Sequence, residues 1–264
     1  MASFGAKDVQ ALRRATGAGM LDSKRALEEA EGDMEEAARL LRVQGLASAA
    51  KRSGREATQG AVALGVEGPV ATLVELRCET DFVAKSVELL ELAQELADLA
   101  ATKGEAALEE RAAAIDELGA SLKENISLGT VVRFELAPGS VLGSYLHMQA
   151  GRGVNGVLVE LAGGSEQLAH DVAVHIAFAK PSYLDQGQVP EAEIAAERAT
   201  LEELSRNEGK PEAALGKIVD GRMQGWFKER CLLDQAYVKD EKRTVSTLLG
   251  AATVVRFAQV VVGG

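Results

Sequence analysis

Aromatic residues, cysteines and histidines are scarce in this sequence of 264 residues. Aromatic residues make up 4%, and the two cysteines, Cys78 and Cys231, are far apart in the chain. Such sparse cysteines exclude a disulfide scaffold and indicate a reducing compartment. The closest pair of histidines, His170 and His175, is five residues apart, not the four that place two ligands on one helical face. We therefore expect no metal site and no cofactor.

The sequence also lacks a long apolar run, a secretory signal and an excess of basic charge. No apolar stretch approaches the roughly 18 residues of a membrane-spanning helix, and the charged N-terminus has no apolar segment. Lys and Arg number 29 against 40 Asp and Glu, so the net charge is −11, opposite in sign to that of a protein that coats nucleic acid. These absences favour a cytoplasmic protein that binds another protein, with no direct nucleic-acid contact and no membrane.

Familiar enzyme signatures are absent too. The sequence has no glycine-rich loop that would bind phosphate between a strand and a helix, and no GxSxG nucleophile elbow. A hydrolase is a weak interpretation because no nucleophile–base pair can be named, and we expect no catalytic residues. The sequence does contain enough apolar material for a core, since 47% of its residues are hydrophobic.

Residues 1–45 have the pattern of three short helices. Apolar residues at helical spacing predict the first over about 7–15 and the second over about 22–30. Asp33, with Glu36 three residues later, is typical of the cap that begins a third helix. So small a bundle is more typical of a docking module than of a catalytic domain. The next residues, 46–59, have no clear apolar period, which predicts a linker that could be partly helical.

A break at residues 17–19 (GAG) separates the first two helices, and Met20 and Leu21 follow it directly. Two interpretations are open for these side chains. Both could close the small core of the module, or they could be exposed, where a methionine makes an adaptable binding contact. The residues alone favour the core.

An internal repeat is the strongest feature of the sequence. The pentapeptide TVVRF occurs at residues 130–134 and again at 253–257, and LVEL occurs at 73–76 and again at 158–161. Alternating apolar residues mark half-buried strands in each copy, and residues 68–69 (GP) predict a turn between the first two strands. The sequence therefore predicts an α+β fold, in which a three-helix module precedes a duplicated α/β core with antiparallel strands, divided into subdomains over 60–139 and 140–264.

The second copy of the repeat is longer than the first. The early match is displaced by 85 residues (73 to 158) and the late match by 123 (130 to 253), so the second copy holds 38 more residues (123 − 85). The excess falls at about 185–230, where two stretches of helical apolar spacing flank a turn-forming NEGKP segment. We predict a helical hairpin inserted into the second copy.

The repeat offers an internal comparison for residues 80–83 (TDFV). At the offset of 85 residues they align with residues 165–168 (SEQL), so Thr80 and Ser165 are both predicted to cap the helix that follows. Phe82 aligns with a glutamine, which suggests a position that faces solvent. A Phe at the start of a helix could also pack against the preceding strand, and the pattern alone favours packing. The other interpretation is an exposed binding anchor.

These features together resemble those of the elongation factor Ts family, the guanine-nucleotide exchange factors of the translational GTPase elongation factor Tu. The resemblance spans nearly the whole chain, and its most diagnostic motif is CETDFVAK at residues 78–85. Further family-like motifs occur in the right order: TGAGM at 16–20, ENI at 124–126, GSYLH at 143–147, KP at 180–181 and GRM at 221–223.

The resemblance implies two surfaces that dock on the partner. The N-terminal module would be ubiquitin-associated-like and would dock on the nucleotide-binding domain of elongation factor Tu through Met20, Leu21 and Arg13. His147, in the second half, would grip a different domain of the partner. The resemblance thus implies that Met20 and Leu21 are exposed.

The resemblance also implies how exchange occurs. Thr80, Asp81, Phe82 and Val83 would form a tip that enters the same nucleotide-binding domain of elongation factor Tu, in its GDP-bound state. Phe82 would then displace magnesium and the phosphate loop, so that GDP leaves and GTP can bind the nucleotide-free partner. The chain itself would be an exchange factor and not an enzyme with its own chemistry.

One departure and one rival interpretation stand beside this resemblance. Lys123, just before the ENI motif, follows Leu122 where some relatives have an Ile-Gly pair that touches the partner, so no site role is carried over to these two residues. The rival interpretation is a general adaptor that binds ubiquitin-like or unfolded chains through residues 1–45. An adaptor of that kind has no use for the tip at residues 80–83.

Overall fold

The computed structural model describes residues 4–16, 18–52 and 54–264. Gly17, which the sequence predicts to interrupt the N-terminal helices, lies outside these residues. The described chain combines helices with antiparallel β-structure, which confirms the α+β class. Within the same ranges, no helix combines the length and the apolar character that crossing a membrane requires.

The chain divides into two compact units. The first unit comprises Met1–Arg133, Met148–Asn155 and Val260–Gly264. The second comprises Phe134–His147 and Gly156–Gln259. The residues implicated by the motif at 78–85 and by the N-terminal module all belong to the first unit.

Three helices, α1 (Ala6–Thr16), α2 (Met20–Glu29) and α3 (Met34–Arg52), form the N-terminal module. Their apolar stripes meet in a small core: Val9, Leu12, Ala26, Leu27, Ala30 and Ala37. Asp33 begins α3 as predicted, since its Oδ1 accepts hydrogen bonds from the backbone N–H groups of Glu35 and Glu36 at 2.9 and 3.0 Å. The Glu36 carboxylate binds Arg39 on the next turn.

Helix α3 continues past residue 45, the predicted end of the module, and ends at Arg52. Residues 46–52 (LASAAKR) are mostly strong helix formers, and the next helix-breaking residue is Gly54. The first part of the predicted linker over 46–59 is therefore helical. Irregular residues at 54–58 then lead into the first strand.

The first sheet contains β1 (Gln59–Glu67), β2 (Val70–Cys78) and β3 (Ser127–Glu135), in the order β1-β2-β3. Strands β1 and β2 pair antiparallel around the predicted turn at residues 68–69, with Gln59 opposite Cys78. Two helices, α4 (Val87–Lys103) and α5 (Ala112–Leu122), complete this region. Alternate residues of β2 and the apolar stripe of α4 supply most of its core: Val74, Leu76, Cys78, Leu89, Ala93, Leu96 and Ala100.

The second sheet contains β4 (Ser140–Gln149), β5 (Arg152–Ala162) and β8 (Thr253–Val261), in the order β4-β5-β8. Ala150 and Gly151 connect β4 to β5 with φ of 51° and 83°, as a two-residue hairpin turn requires. Helices α6 (Glu166–Ala179) and α9 (Val245–Leu249) pack against this sheet. Both sheets thus combine two consecutive strands with one strand from much later in the chain.

Two helices, α7 (Glu191–Asn207) and α8 (Glu212–Arg230), occupy the segment where the sequence predicts a helical hairpin. An apolar seam joins them: Val189, Ile194, Leu201, Val219, Met223 and Phe227. Charged residues flank the seam, and Arg198 pairs with Asp220 at 2.8 Å. Two short strands, β6 (Ala236–Tyr237) and β7 (Asp240–Thr244), then lead to α9 and β8.

His175 on α6 is fully buried and joins this helix to the chain that follows α8. Its Nδ1 accepts a hydrogen bond from the backbone N–H of Val238 at 3.3 Å, so its proton lies on Nε2, which donates to Gln235 Oε1 at 2.9 Å. Burial lowers the pKa of His175, and the hydrogen bond to Gln235 opposes that shift. The neutral imidazole is therefore the form that the fold stabilises.

The free energy of unfolding should consequently fall as the pH drops below about 6.5, where His175 of the unfolded chain takes up a proton. The pKa of His175 is lower in the folded protein than in the unfolded chain. The contribution of the neutral imidazole to the free energy of unfolding is therefore complete above about pH 6.5, and it is lost as the pH falls to the folded pKa. Urea unfolding at about pH 7.5 and about pH 5.5 measures this loss, which is at most about 1.4 kcal/mol because pH 5.5 lies about one unit below the unfolded pKa. His175→Gln should lose less between these pH values, and an equal loss in both proteins would contradict this account.

Candidate functional site

Residues 79–85 connect β2 to α4 and are called the tip from here on. Phe82 stands at its apex with 83% of its surface exposed, whereas Ala84 two residues later is fully buried. The interpretation that the pattern alone favours, packing of Phe82 against the preceding strand, is therefore wrong, and the alternative of an exposed side chain is confirmed. The physical reason is local, because the chain turns at Asp81 and Phe82 before a short 3-10 turn over Val83–Lys85, and this turn directs Ala84 inward instead.

Hydrogen bonds within the tip fix the turn around Phe82. The backbone N–H of Ala84 donates to the carbonyl of Thr80 at 3.1 Å, and the backbone N–H of Val83 donates to the Thr80 hydroxyl at 3.3 Å. Asp81 forms an ion pair with Lys85 at 2.6 Å. The hydrogen bond from Lys85 lowers the pKa of Asp81, so this exposed carboxylate is charged at neutral pH.

The prediction that Thr80 caps the long helix after it is wrong. Ser86 caps α4, accepting from the backbone N–H of Leu89 at 3.3 Å, while Ser165 caps α6, accepting from that of Leu168 at 3.2 Å. The two caps are 79 residues apart (86 to 165), six fewer than the offset of 85 between the LVEL strands. The connection from the LVEL strand to the helix cap is thus six residues longer at the tip than in the second copy of the repeat. Phe82 therefore has no counterpart in the second copy, and Gln167 is not its equivalent.

Two glutamates bind the base of the tip to the turn between α5 and β3. Glu124 Oε2 accepts from the backbone N–H groups of Glu79 and Thr80, both at 3.0 Å, and its Oε1 accepts from the Thr80 hydroxyl. In return, Glu79 Oε1 accepts from the backbone N–H of Asn125 at 2.6 Å. We call this reciprocal pair, Glu79 with Glu124, the carboxylate clamp. The ENI motif at 124–126 is visible in the sequence, but nothing near it in the sequence predicts these contacts with the tip.

Cys78 lies beneath the tip. It is fully buried, and its thiol donates to the carbonyl of Thr80 at 3.2 Å. Burial raises the pKa of Cys78 to about 12, with the negative charge of Glu124 as a further cause. The thiol is therefore protonated and shielded for as long as the tip stays in place.

Met20 and Leu21 begin α2 and are 49% and 69% exposed. The interpretation that the residues alone favour, in which both close the core of the module, is therefore wrong, and the exposure that the resemblance implies is confirmed. Leu12 and Leu27 already fill that core. Instead Met20 and Leu21 line a groove of about 520 Å³ together with Phe4, Gly5, Ala6, Val9, Gln10 and Lys24. Arg13 is also exposed, on α1.

The same turn that holds the tip also holds the N-terminal module. Lys123 pairs with Asp22 on α2 at 3.2 Å, and Arg42 on α3 pairs with Glu117 on α5 at 2.9 Å. Lys123 has a left-handed backbone (φ 61°), a conformation that glycine adopts more easily. Consecutive residues 123 and 124 therefore bind the module and the tip, respectively.

His147 lies in the second unit, exposed on β4. Its Nδ1 is 3.2 Å from the Tyr145 hydroxyl, and the Tyr145 ring is 6.1 Å from that of His170. This small aromatic surface involves two of the three histidines. In the part of the chain that the structure describes, no group of three or more His, Cys, Asp or Glu is placed to hold a metal ion.

Comparison with known proteins gives one consistent result. A family model described as elongation factor TS matches residues 79–264, which begin at the tip. The chain is 43% identical over 277 residues to elongation factor Ts of Renibacterium salmoninarum, with 100% of both chains covered. It is 43% identical over 277 residues to that of Acidothermus cellulolyticus (100% of this chain, 99% of the other). It is 42% identical over 266 residues to that of Kineococcus radiotolerans (96% of each).

Proposed function

Since this chain belongs to the elongation factor Ts family and is a translation elongation factor, we propose that it acts in the cytoplasm as the guanine-nucleotide exchange factor of elongation factor Tu. The observation that carries the proposal is the tip, where Phe82 is 83% exposed on a turn bound at its base by Glu124. A large exposed aromatic on a fixed turn is typical of a binding anchor.

In the proposed reaction, Thr80, Asp81, Phe82 and Val83 enter the nucleotide-binding domain of the GDP-bound partner. The ring of Phe82 displaces magnesium and the phosphate loop, GDP leaves, and GTP reloads the nucleotide-free partner. The protein supplies no acid, base or nucleophile to this process. It needs only to bind the nucleotide-free partner more tightly than the GDP-bound one, and by linkage it weakens GDP binding by the factor by which GDP weakens its own.

Docking on the partner is assigned to the N-terminal groove and to the second unit. The exposed side chains of Met20 and Leu21 offer an apolar surface, and Arg13 adds a positive charge nearby in sequence. In this proposal the groove binds the same domain that the tip enters. His147 binds a different domain of elongation factor Tu.

The proposed function comes with a finer description of the fold. We infer that residues 1–45 are a ubiquitin-associated-like module and that 60–139 and 140–264 are copies of one ancestral subdomain. The equal order of the two sheets, β1-β2-β3 and β4-β5-β8, supports duplication. The repeated TVVRF pentapeptide falls within β3 and again within β8, which further supports it.

The direct test uses elongation factor Tu loaded with a fluorescent GDP analogue. Excess unlabelled GDP is added with increasing amounts of this protein, and the decay of fluorescence gives the release rate. We expect the rate to rise with concentration to a plateau. A rate that stays at the spontaneous value at micromolar protein would contradict the proposal and leave the adaptor interpretation.

Leu21→Gln should weaken docking without impairing release. Because Leu21 is 69% exposed, the substitution should change the free energy of unfolding by no more than about 0.5 kcal/mol. Loss of an apolar anchor should raise the half-saturating concentration by about fivefold to thirtyfold, which corresponds to about 1–2 kcal/mol. The plateau rate should not change. Val43→Gln is the matched control, since Val43 is an exposed apolar residue of α3 (53%) that does not line the groove.

A further inference from the structure

We propose that Glu124 is a positioning residue for nucleotide exchange, because it fixes the backbone from which Phe82 projects. This inference rests on the proposed function. Glu124 lies 42 residues after Phe82 in the sequence, yet it binds the tip two residues before the exposed ring. It acts through Thr80 and has no part in displacing magnesium.

The hydrogen bonds of Glu124 fix the two residues that lead into the turn around Phe82. Its carboxylate accepts hydrogen bonds from the backbone N–H groups of Glu79 and Thr80, at 3.0 Å each, and from the Thr80 hydroxyl. That hydroxyl in turn accepts from the backbone N–H of Val83 at 3.3 Å. Glu124 thus holds Thr80, and Thr80 in turn holds the residue that follows Phe82. Hydrogen bonds to a charged acceptor are stronger than neutral ones, which suits a carboxylate at this position.

The second half of the clamp does not replace this function. Glu79 accepts from the backbone N–H of Asn125 at 2.6 Å and lies 3.5 Å from Arg55, so it anchors the first residue of the tip. Within the clamp, only Glu124 also takes hydrogen bonds from Thr80. We therefore expect loss of Glu124 to free Thr80 and the turn that follows, while β2 and α4 remain in place.

Fixing an exposed aromatic matters more for exchange than for simple binding. A mobile loop loses conformational entropy when it docks, and a rigid one avoids that cost. A side chain that must displace other groups also needs a defined position, since misplacement by about 1 Å can cost about 100-fold in rate. A mobile tip should therefore lower the plateau rate of GDP release more than it changes the half-saturating concentration.

Glu124→Ala and Glu124→Gln separate position from charge. Alanine removes the three hydrogen bonds that the Glu124 carboxylate accepts from the tip. Glutamine keeps an oxygen for the backbone N–H groups of Glu79 and Thr80, and its amide can donate to the Thr80 hydroxyl, which has a lone pair free for it. If Glu124 acts by position, glutamine should restore what alanine loses.

In the fluorescent-GDP assay, we expect Glu124→Ala to lower the plateau rate by fivefold or more, with the half-saturating concentration changed by less than threefold. Glu124→Gln should recover the plateau rate to within twofold of the unmodified protein. Lys123→Gln is the matched control, because Lys123 is the neighbour of Glu124 in the sequence but its side chain binds Asp22 of the module and not the tip. It should raise the half-saturating concentration and leave the plateau rate unchanged. An unchanged plateau rate in Glu124→Ala would overturn the proposal.

A second measurement needs no partner. The Cys78 thiol donates to the Thr80 carbonyl, so opening of the tip exposes it. Labelling by a disulfide reagent is followed at Cys78 by peptide mass spectrometry. It should be about tenfold faster in Glu124→Ala than in Glu124→Gln, as a tenfold larger open population gives. This comparison isolates opening of the tip, because both variants remove the negative charge that helps to raise the pKa of Cys78. Equal labelling in the two variants overturns the positioning role. If labelling changes as expected but the unmodified protein does not accelerate release, the proposed function fails and the role of Glu124 in holding the tip stands.

Discussion

Phe82→Gln should slow the release of GDP from elongation factor Tu by tenfold or more at saturating protein, while the free energy of unfolding changes by less than about 1 kcal/mol. The two effects separate because the proposed mechanism uses the ring of Phe82 for the partner, while that ring contributes almost nothing to the core. Cutting back a buried Phe costs about 3–5 kcal/mol, whereas a side chain that is 83% exposed has little packing to lose.

The effect on release follows from what the variant tip still does. Thr80 and Asp81 remain, the carboxylate clamp remains, and the N-terminal groove remains, so the protein still docks. What is lost is the ring that displaces the phosphate loop and magnesium in the proposed mechanism. A tenfold slower step corresponds to about 1.4 kcal/mol in barrier, a modest demand on one aromatic side chain.

Phe178→Gln provides the matched control. Phe178 is 78% exposed at the end of α6 in the second unit, so the chemical change and the exposure are nearly the same. Its variant should release GDP at the unmodified plateau rate. The two measurements to compare are the urea midpoint and the plateau rate of fluorescent-GDP release. A Phe82→Gln protein that unfolds much more easily, yet exchanges normally once folded, would show that Phe82 stabilises the fold and that another residue displaces the loop.

Elements with a local signal could be predicted from the sequence. The alternation along β2 and the turn at residues 68–69 predicted the first hairpin, and Asp33 caps α3 as expected. Each of these features is decided by residues within a few positions of one another. The paired apolar stripes at 185–230 likewise predicted α7 and α8, because helical spacing is visible in any window of that length.

The candidate site was harder to predict because its geometry depends on distant residues and on loop length. Glu79 and Glu124 are 45 residues apart, and no periodicity in the sequence connects them. The comparison of Phe82 with Gln167 assumed one constant offset between the two copies, and a connection longer by six residues breaks that assumption. Exposure of Met20 depends on whether other residues already fill the core of the module.

Replacing the seven residues of the tip, 79–85, by a single glycine should abolish acceleration of GDP release and leave a folded protein. In the second sheet, the LVEL strand reaches its helix cap, Ser165, without such an excursion. Shortening the first connection by six residues gives Ser86 the same spacing from its strand. The carboxylate clamp, the buried side chain of Ala84 and the thiol contact of Cys78 are lost, so we expect unfolding to cost about 1–3 kcal/mol less than in the unmodified chain.

Circular dichroism and a cooperative urea transition report whether the shortened chain folds, and the fluorescent-GDP assay reports its activity. A matched control replaces only Asp81, Phe82 and Val83 by glycines, which keeps the length, Thr80 and the clamp but removes the ring. It should fold and should also lose acceleration.

The shortened chain keeps the N-terminal groove, so at high concentration it should compete with the unmodified protein for elongation factor Tu and inhibit the release of GDP. Acceleration by the shortened chain would exclude Phe82 as the group that displaces the loop. A shortened chain that does not fold, beside a folded glycine control, would mean that the two connections are not equivalent and that the inferred duplication fails at this point.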